Sequence, residues 1–87
     1  MSAEDAKIIN QLITRYLSRR EHSYFELCQK LTQKGFALQS CEAQVMLFKE
    51  RNIQSDSRYA ESMIRNAYHS GKGPQVIRQK LLQHNID

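Results

Sequence analysis

The chain contains an internal repeat, and this repeat constrains the possible folds more than any other feature. Residues 1–37 align with residues 51–87 at an offset of 50 positions, and the predicted helix starts, apolar stripes and helix stops then coincide. The identical pairs are Arg15 and Arg65, Gln29 and Gln79, Lys30 and Lys80, Leu31 and Leu81, and Gln33 and Gln83. Such a period predicts a tandem array of units, each burying its apolar face against a neighbour. Chance similarity between amphipathic helices is the alternative.

The spacing of apolar residues is typical of helices, and long strand-like alternation is absent. Five helices are predicted, over about residues 6–20, 24–34, 39–51, 57–70 and 74–84. Their starts and stops are assigned to Ser23, Gly35, Asp56, Gly71, Pro74 and Asn85. The residues expected to be buried on the last two helices are Tyr59, Ala60, Met63, Ile64 and Ala67, then Val76, Ile77 and Leu81.

The predicted fold class is all-α, with tandem three-helix repeats. Residues 1–53 would form one complete repeat, and residues 54–87 the first two helices of a second. Repeat units usually need several copies to bury their faces. We therefore expect this polypeptide to be a truncated piece of a longer protein.

Several classes of function are disfavoured by what the sequence lacks. Cys28 and Cys41 are too few for a disulfide framework, and both are expected to be buried as small apolar side chains. The three histidines show no metal-ligand spacing. Residues 71–73 lack the ending of a phosphate-binding loop, and no nucleophile motif occurs. We expect no catalysis, no metal or other cofactor and no small-molecule substrate.

The expected compartment is the cytoplasm, without a membrane partner. No apolar run approaches the roughly 20 residues that span a bilayer. Residues 1–5 also lack the basic-then-apolar pattern of a secretion signal.

The net charge of +4 is unevenly distributed, with six Lys/Arg against three Asp/Glu in residues 51–87. Arg15 and Arg19 on helix one, and Arg58 and Arg65 on helix four, are predicted to face away from the core as one basic strip. Lys72 is predicted to be exposed near a helix start, where an anion could bind. The simpler alternatives are a solvated helix surface and an ordinary turn.

Residues 16–27 (YLSRREHSYFEL), followed by Lys30-Leu31 and residues 34–36 (KGF), resemble the opening repeat of RecX proteins. Residues 56–62 (DSRYAES) and 71–77 (GKGPQVI) resemble the second-repeat signature of that family. The two signatures occur in the correct order and spacing over about residues 7–87.

The resemblance implies an array of about three three-helix repeats that lies in the groove of the RecA filament on DNA. It also implies suppression of the recombinase, ATPase and coprotease activities of RecA, without a cofactor or catalytic residue. The residues that match characteristic family positions are Arg19, Arg20, Arg58, Tyr59, Lys72 and Gly73. The predicted partner-contact set is Arg15, Arg19, Arg20, Arg58, Arg65 and Lys72. This chain departs from the family pattern because it stops before the rest of repeat two and all of repeat three.

Two functional hypotheses follow from these observations. The first is a non-enzymatic regulator that binds RecA, and the second is a basic helical module that binds DNA directly. An enzyme is a third and weaker alternative, because no catalytic motif supports it.

Overall fold

The structure, a computed structural model, describes residues 2–86 as five α-helices. They are α1 (Ala3–Arg19), α2 (Tyr24–Gln33), α3 (Leu38–Glu50), α4 (Asp56–His69) and α5 (Pro74–Gln83). The described residues contain no strand, so the predicted all-α class is confirmed. The overall dimensions of 44 × 19 × 19 Å are those of an elongated array.

The first three helices form one unit around a single apolar core. Ile9 and Ile13 of α1, Leu27 and Leu31 of α2, and Val45 of α3 are completely buried there. Because α3 packs against both α1 and α2, it closes this core. Burying each such aliphatic side chain stabilises the fold by about 1.5–3 kcal/mol.

Helices α2 and α5 end in the same hydrogen-bond pattern, at positions that the internal repeat aligns. After α2, the Phe36 N–H donates to the Leu31 carbonyl at 3.4 Å, and after α5, Ile86 donates to Leu81 at 2.8 Å. Gly35 adopts a φ of +102°, and its counterpart Asn85 a φ of +58°. Both are left-handed helix stops, as predicted, and satisfy the last carbonyls of their helices. The same bond also ends α3, from Ile53 to Phe48, and α4, from Lys72 to Ala67, so this bond alone does not distinguish a tandem repeat from chance similarity.

The predicted N-cap of helix four was wrong by one residue. Ser55 caps α4, and its hydroxyl accepts from the Arg58 N–H at 3.2 Å. Asp56 is instead the first residue of the helix, and its carboxylate reaches the first unit. Helix α1 also begins earlier than predicted, at Ala3 with Ser2 as its cap.

The second unit is buried less deeply than the sequence predicted. Tyr59 and Ala67 are buried, but Ile64 and Val76 are each 44% exposed, contrary to expectation. The half-buried predicted residues are Ala60, Met63, Ile77 and Leu81. The reason is geometric, because within residues 2–86 no helix covers α4 and α5 as α3 covers α1 and α2. An apolar groove of about 570 Å³ lies between α4 and α5.

Candidate partner-binding surface and unit junction

The predicted contact residues separate into two groups. Arg15, Arg19, Arg65 and Lys72 are exposed on α1, on α4 and in the α4–α5 turn. Arg20 and Arg58 are instead brought to the α1–α2 turn, where both bind acidic side chains. The first group is available to a partner, whereas the second is already engaged within the chain.

The prediction that Arg58 faces away from the core was wrong. Its Nε donates to Oε1 of Glu21 at 3.1 Å, which links α4 to the α1–α2 turn. Its two terminal nitrogens donate to Oδ1 and the carbonyl of Asn52 at 3.2 and 2.8 Å, and to the carbonyl of Ile53 at 2.9 Å. Helical side chains lean towards the helix N-terminus, so an arginine in the first turn reaches the preceding loop. Helical-face periodicity carries no information about that loop.

Arg20 forms a bidentate pair with Glu26, with N–O distances of 3.1 and 2.5 Å. This hydrogen-bonded pair raises the pKa of Arg20. Burial opposes ionisation of Glu26, but the Arg20 hydrogen bonds and charge outweigh it and lower the pKa of Glu26. The pair closes the turn between α1 and α2 rather than presenting Arg20 as an unpaired charge.

Gln54 and Asp56 connect the two units through backbone groups. Gln54 is only 1% exposed, and its amide nitrogen donates to the His22 carbonyl at 3.2 Å and to Asp56 Oδ1 at 3.0 Å. The same Asp56 oxygen accepts from the Tyr24 N–H at 2.8 Å. Tyr24 is the first residue of α2, where helices leave backbone donors without intrahelical partners. A side chain from the second unit therefore helps to cap a helix of the first.

His84 makes a second connection between the units. Its Nδ1 lies 2.6 Å from Oγ of Ser23, and its Nε2 lies 3.2 Å from the Tyr59 hydroxyl. The imidazole also packs against the rings of Tyr59 and Phe25, with centroid distances of 4.9 and 6.0 Å. This role of His84 was not predicted from the sequence, because neither ligand spacing nor periodicity identifies a histidine whose partners are 25 and 61 residues away.

His22 is buried in the same turn and held by neighbours from α1 and α2. Its Nδ1 lies 3.0 Å from the Arg20 carbonyl, and its Nε2 lies 2.9 Å from Nζ of Lys30. A carbonyl can only accept and an ammonium can only donate, so this arrangement requires neutral His22 protonated at Nδ1. Burial, together with the charges of Arg20 and Lys30, lowers the pKa of His22.

Lys80 on α5 adds to the exposed positive charge of the second unit. The ammonium group of Lys72 lies close enough to Lys80 on α5 to lower the pKa of that lysine. Lys80 is the repeat counterpart of Lys30, which is half-buried in the first unit. The turn and α5 thus carry two neighbouring positive charges on the second unit.

Both cysteines are buried in the core of the first unit. Burial raises the pKa of the Cys28 thiol to about 11 and also raises the pKa of Cys41. In the part of the chain that the structure describes, no group of three His, Cys, Asp or Glu residues is placed to hold a metal ion. None of the helices in residues 2–86 combines the length and hydropathy needed to cross a membrane.

The fold and the junction define a helical-repeat protein whose two units are joined by polar contacts. Residues 11–43 match the family model of the first three-helix domain of RecX, and residues 55–87 match that of the second. The chain belongs to the RecX family, as the resemblance predicted.

Curated relatives agree with this assignment. The chain is 44% identical over 73 residues to "Regulatory protein RecX" of Legionella pneumophila strain Corby, which covers 84% of this chain and 49% of the relative. It is 41% identical over 70 residues to the protein of that name from Vibrio parahaemolyticus, covering 80% of this chain and 45% of the relative. The corresponding protein of Vibrio vulnificus is 42% identical over 81 residues, which cover 93% of this chain and 49% of the relative. The chain therefore spans about half the length of the curated relatives it matches.

Proposed function

We propose that this protein is a non-enzymatic regulator that binds the RecA filament on DNA and inhibits its recombinase, ATPase and coprotease activities. The observation that supports this proposal best is the match of both RecX domains, in order, over residues 11–43 and 55–87. The name of the relatives, "Regulatory protein RecX", supports regulation rather than catalysis. We place the protein in the cytoplasm, with no membrane, cofactor or small-molecule substrate.

The exposed basic residues are the surface that we assign to the partner. Arg15 and Arg65 occupy the same position of successive units and are both exposed, as are Arg19 and Lys72. We propose the loop between α3 and α4 as the boundary between the units, at residues 53 and 54. An elongated array that repeats an exposed positive charge suits an extended, acidic partner.

The alternative function is direct DNA binding, which the net charge of +4 favours. The two functions differ in their salt dependence. If phosphate contacts dominate binding to bare DNA, the logarithm of the binding constant should fall linearly with the logarithm of the salt concentration. Binding to RecA should require the filament and should survive where bare-DNA binding has been lost.

The deciding experiment compares binding to RecA filaments on single-stranded DNA with binding to the same DNA alone. The charge-reversed variant Arg15→Glu with Arg65→Glu should lose filament binding. Lys7→Glu with Lys34→Glu is a control with the same charge change, because both lysines are exposed but lie outside the assigned set. Tight binding to bare DNA together with no binding to the filament would exclude the regulator proposal.

A further inference from the structure

The contact between the two units is formed by directional polar groups. The α1–α2 turn of the first unit, at residues 20–23, receives the start of α4 and the end of α5 from the second. Arg58 donates to Glu21, Gln54 donates to the His22 carbonyl, and His84 and Ser23 share a hydrogen bond. This one short turn therefore contacts both ends of the α4–α5 hairpin.

Polar contacts of this kind restrict orientation more strongly than an apolar interface does. A hydrogen bond weakens steeply as its angle departs from linearity. A buried group that loses its partner also carries the full cost of its desolvation. Gln54 is 1% exposed and His22 is 2% exposed, so a rotation between the units would leave buried polar atoms unsatisfied.

Arg58 is the residue best placed to set this orientation. Its guanidinium binds Glu21 in one turn and the carbonyls of Asn52 and Ile53 in the loop between the units. The planar fork of arginine supplies several donors in fixed directions, which a lysine ammonium cannot reproduce. Arg58 thus joins three segments whose relative positions determine the angle between the units.

We propose that the Glu21–Arg58 pair, with Gln54, Asp56 and His84, fixes the angle between the units and thereby aligns their exposed basic residues for one partner. Arg58 is then a positioning residue, and the partner contacts Arg15 and Arg65 instead. This inference rests on the proposed binding function, because alignment matters only if one partner contacts both units. A fixed angle removes an ordering cost that a flexible pair of units would incur on binding.

The decisive variant is Glu21→Gln, which keeps the shape of the side chain and makes the protein more positive. If charge alone attracted the partner, this variant would bind RecA filaments as tightly as the parent or more tightly. We expect it to bind more weakly, by roughly 2- to 30-fold. Glu61→Gln is the matched control, because Glu61 is exposed on α4 and its neutralisation changes the net charge equally. Arg58→Lys, which keeps the charge without the fork, should weaken binding like Glu21→Gln.

The angle itself is measured without a partner. Spin labels on cysteines introduced at the exposed residues Gln11 and Gln79 report one distance across the two units by double electron–electron resonance. The buried native cysteines react poorly with the label under native conditions. We expect a narrow distance distribution in the parent and in Glu61→Gln, and a broader or shifted one in Glu21→Gln. Helical circular dichroism identifies any variant that fails to fold, and Arg58→Lys then replaces it.

The distance and binding measurements test different parts of the proposal. An unchanged distance distribution in both Glu21→Gln and Arg58→Lys would overturn the fixed-angle proposal. An altered distribution with undiminished filament binding would overturn the positioning role of Arg58. Failure of the parent itself to bind would refute the proposed function, whereas the distance measurement would still decide whether the junction fixes the angle.

Discussion

The hydroxyl of Ser23 at the start of α2 lies 2.6 Å from Nδ1 of His84 at the end of α5. This hydroxyl also accepts from the Glu26 N–H at 3.0 Å, so one side chain both caps a helix and joins the two units. The capping interaction is local, whereas the partner in the second unit is 61 residues away. Stability at the junction therefore depends on residues from both units.

Replacing His84 should destabilise the folded chain. His84→Ala removes the contacts to Ser23 and Tyr59, so we expect a loss of about 1–3 kcal/mol in the free energy of unfolding. Urea denaturation followed by circular dichroism measures this loss. His69→Ala is the control, because His69 is exposed at the end of α4. Equal effects of the two substitutions would mean that the His84 contacts contribute little.

Charge reversal at Arg58 and Arg65 should have unequal effects on stability. The sequence pattern predicted that both arginines face away from the core. Because Arg58 holds Glu21 and two loop carbonyls, Arg58→Glu should lower the free energy of unfolding by about 1–3 kcal/mol. Arg65→Glu should change it by no more than about 0.5 kcal/mol. Thermal melts of both variants test this contrast, and indistinguishable melting temperatures would contradict it.

The repeat provides a matched pair for testing core packing. Leu31 is completely buried, so Leu31→Ala should destabilise the chain by about 2–5 kcal/mol. Its counterpart Leu81 is only half-buried, so Leu81→Ala should lower the free energy of unfolding by less than Leu31→Ala does. Urea midpoints of the two variants give the comparison. A larger loss at Leu81 would show that the second unit carries more of the stability than its burial indicates.

Stability should decrease in mild acid because of His22. Its pKa in the folded chain is lowered from the ordinary value of 6.5, so the unfolded state takes up a proton first. The contribution of neutral His22 is fully present above pH 6.5 and is lost as the pH falls through the lowered pKa. Melting temperatures measured from pH 8 to pH 5 should fall less steeply in His22→Asn than in the parent. Equal slopes in the parent and in His22→Asn would contradict this prediction.

The Cys28 thiol should be unreactive in the folded protein. With its pKa raised to about 11, almost no thiolate exists at pH 8, and the side chain is 6% exposed. Ellman's reagent should label Cys28 and Cys41 slowly in buffer and rapidly in urea. Ser18→Cys provides an exposed thiol that should react at once. Rapid labelling of the parent in buffer would show that the core of the first unit opens readily.

The same pKa shift predicts a loss of stability in alkali. Folding favours the neutral Cys28 thiol, so its contribution is complete below the ordinary pKa of 9.0 and is lost as the pH rises towards about 11. Cys28→Ser in parallel melts should reduce this alkaline loss, whereas Ser18→Cys should leave it unchanged.

The local features of the fold were predictable because their physical causes lie within a few residues. Asn85 stops α5 in the left-handed conformation, and Gly35 stops α2 in the same way. Both positions follow from nearby helix periodicity and from the residue types that tolerate a positive φ. The same reasoning missed the cap of α4 by one residue, since Ser55 and Asp56 are both good capping residues.

The helices, their stops, the repeat and the family could be predicted from the sequence, because these depend on short-range periodicity and on residue patterns. The tertiary structure was needed to show that Arg58 binds Glu21, 37 residues away, and that His84 binds Ser23. It also decided that Ile64 and Val76 stay 44% exposed, because their burial depends on a covering helix rather than on their own spacing. Periodicity assigns a side chain to a face of its helix, whereas its partner there is set by the packing of distant segments.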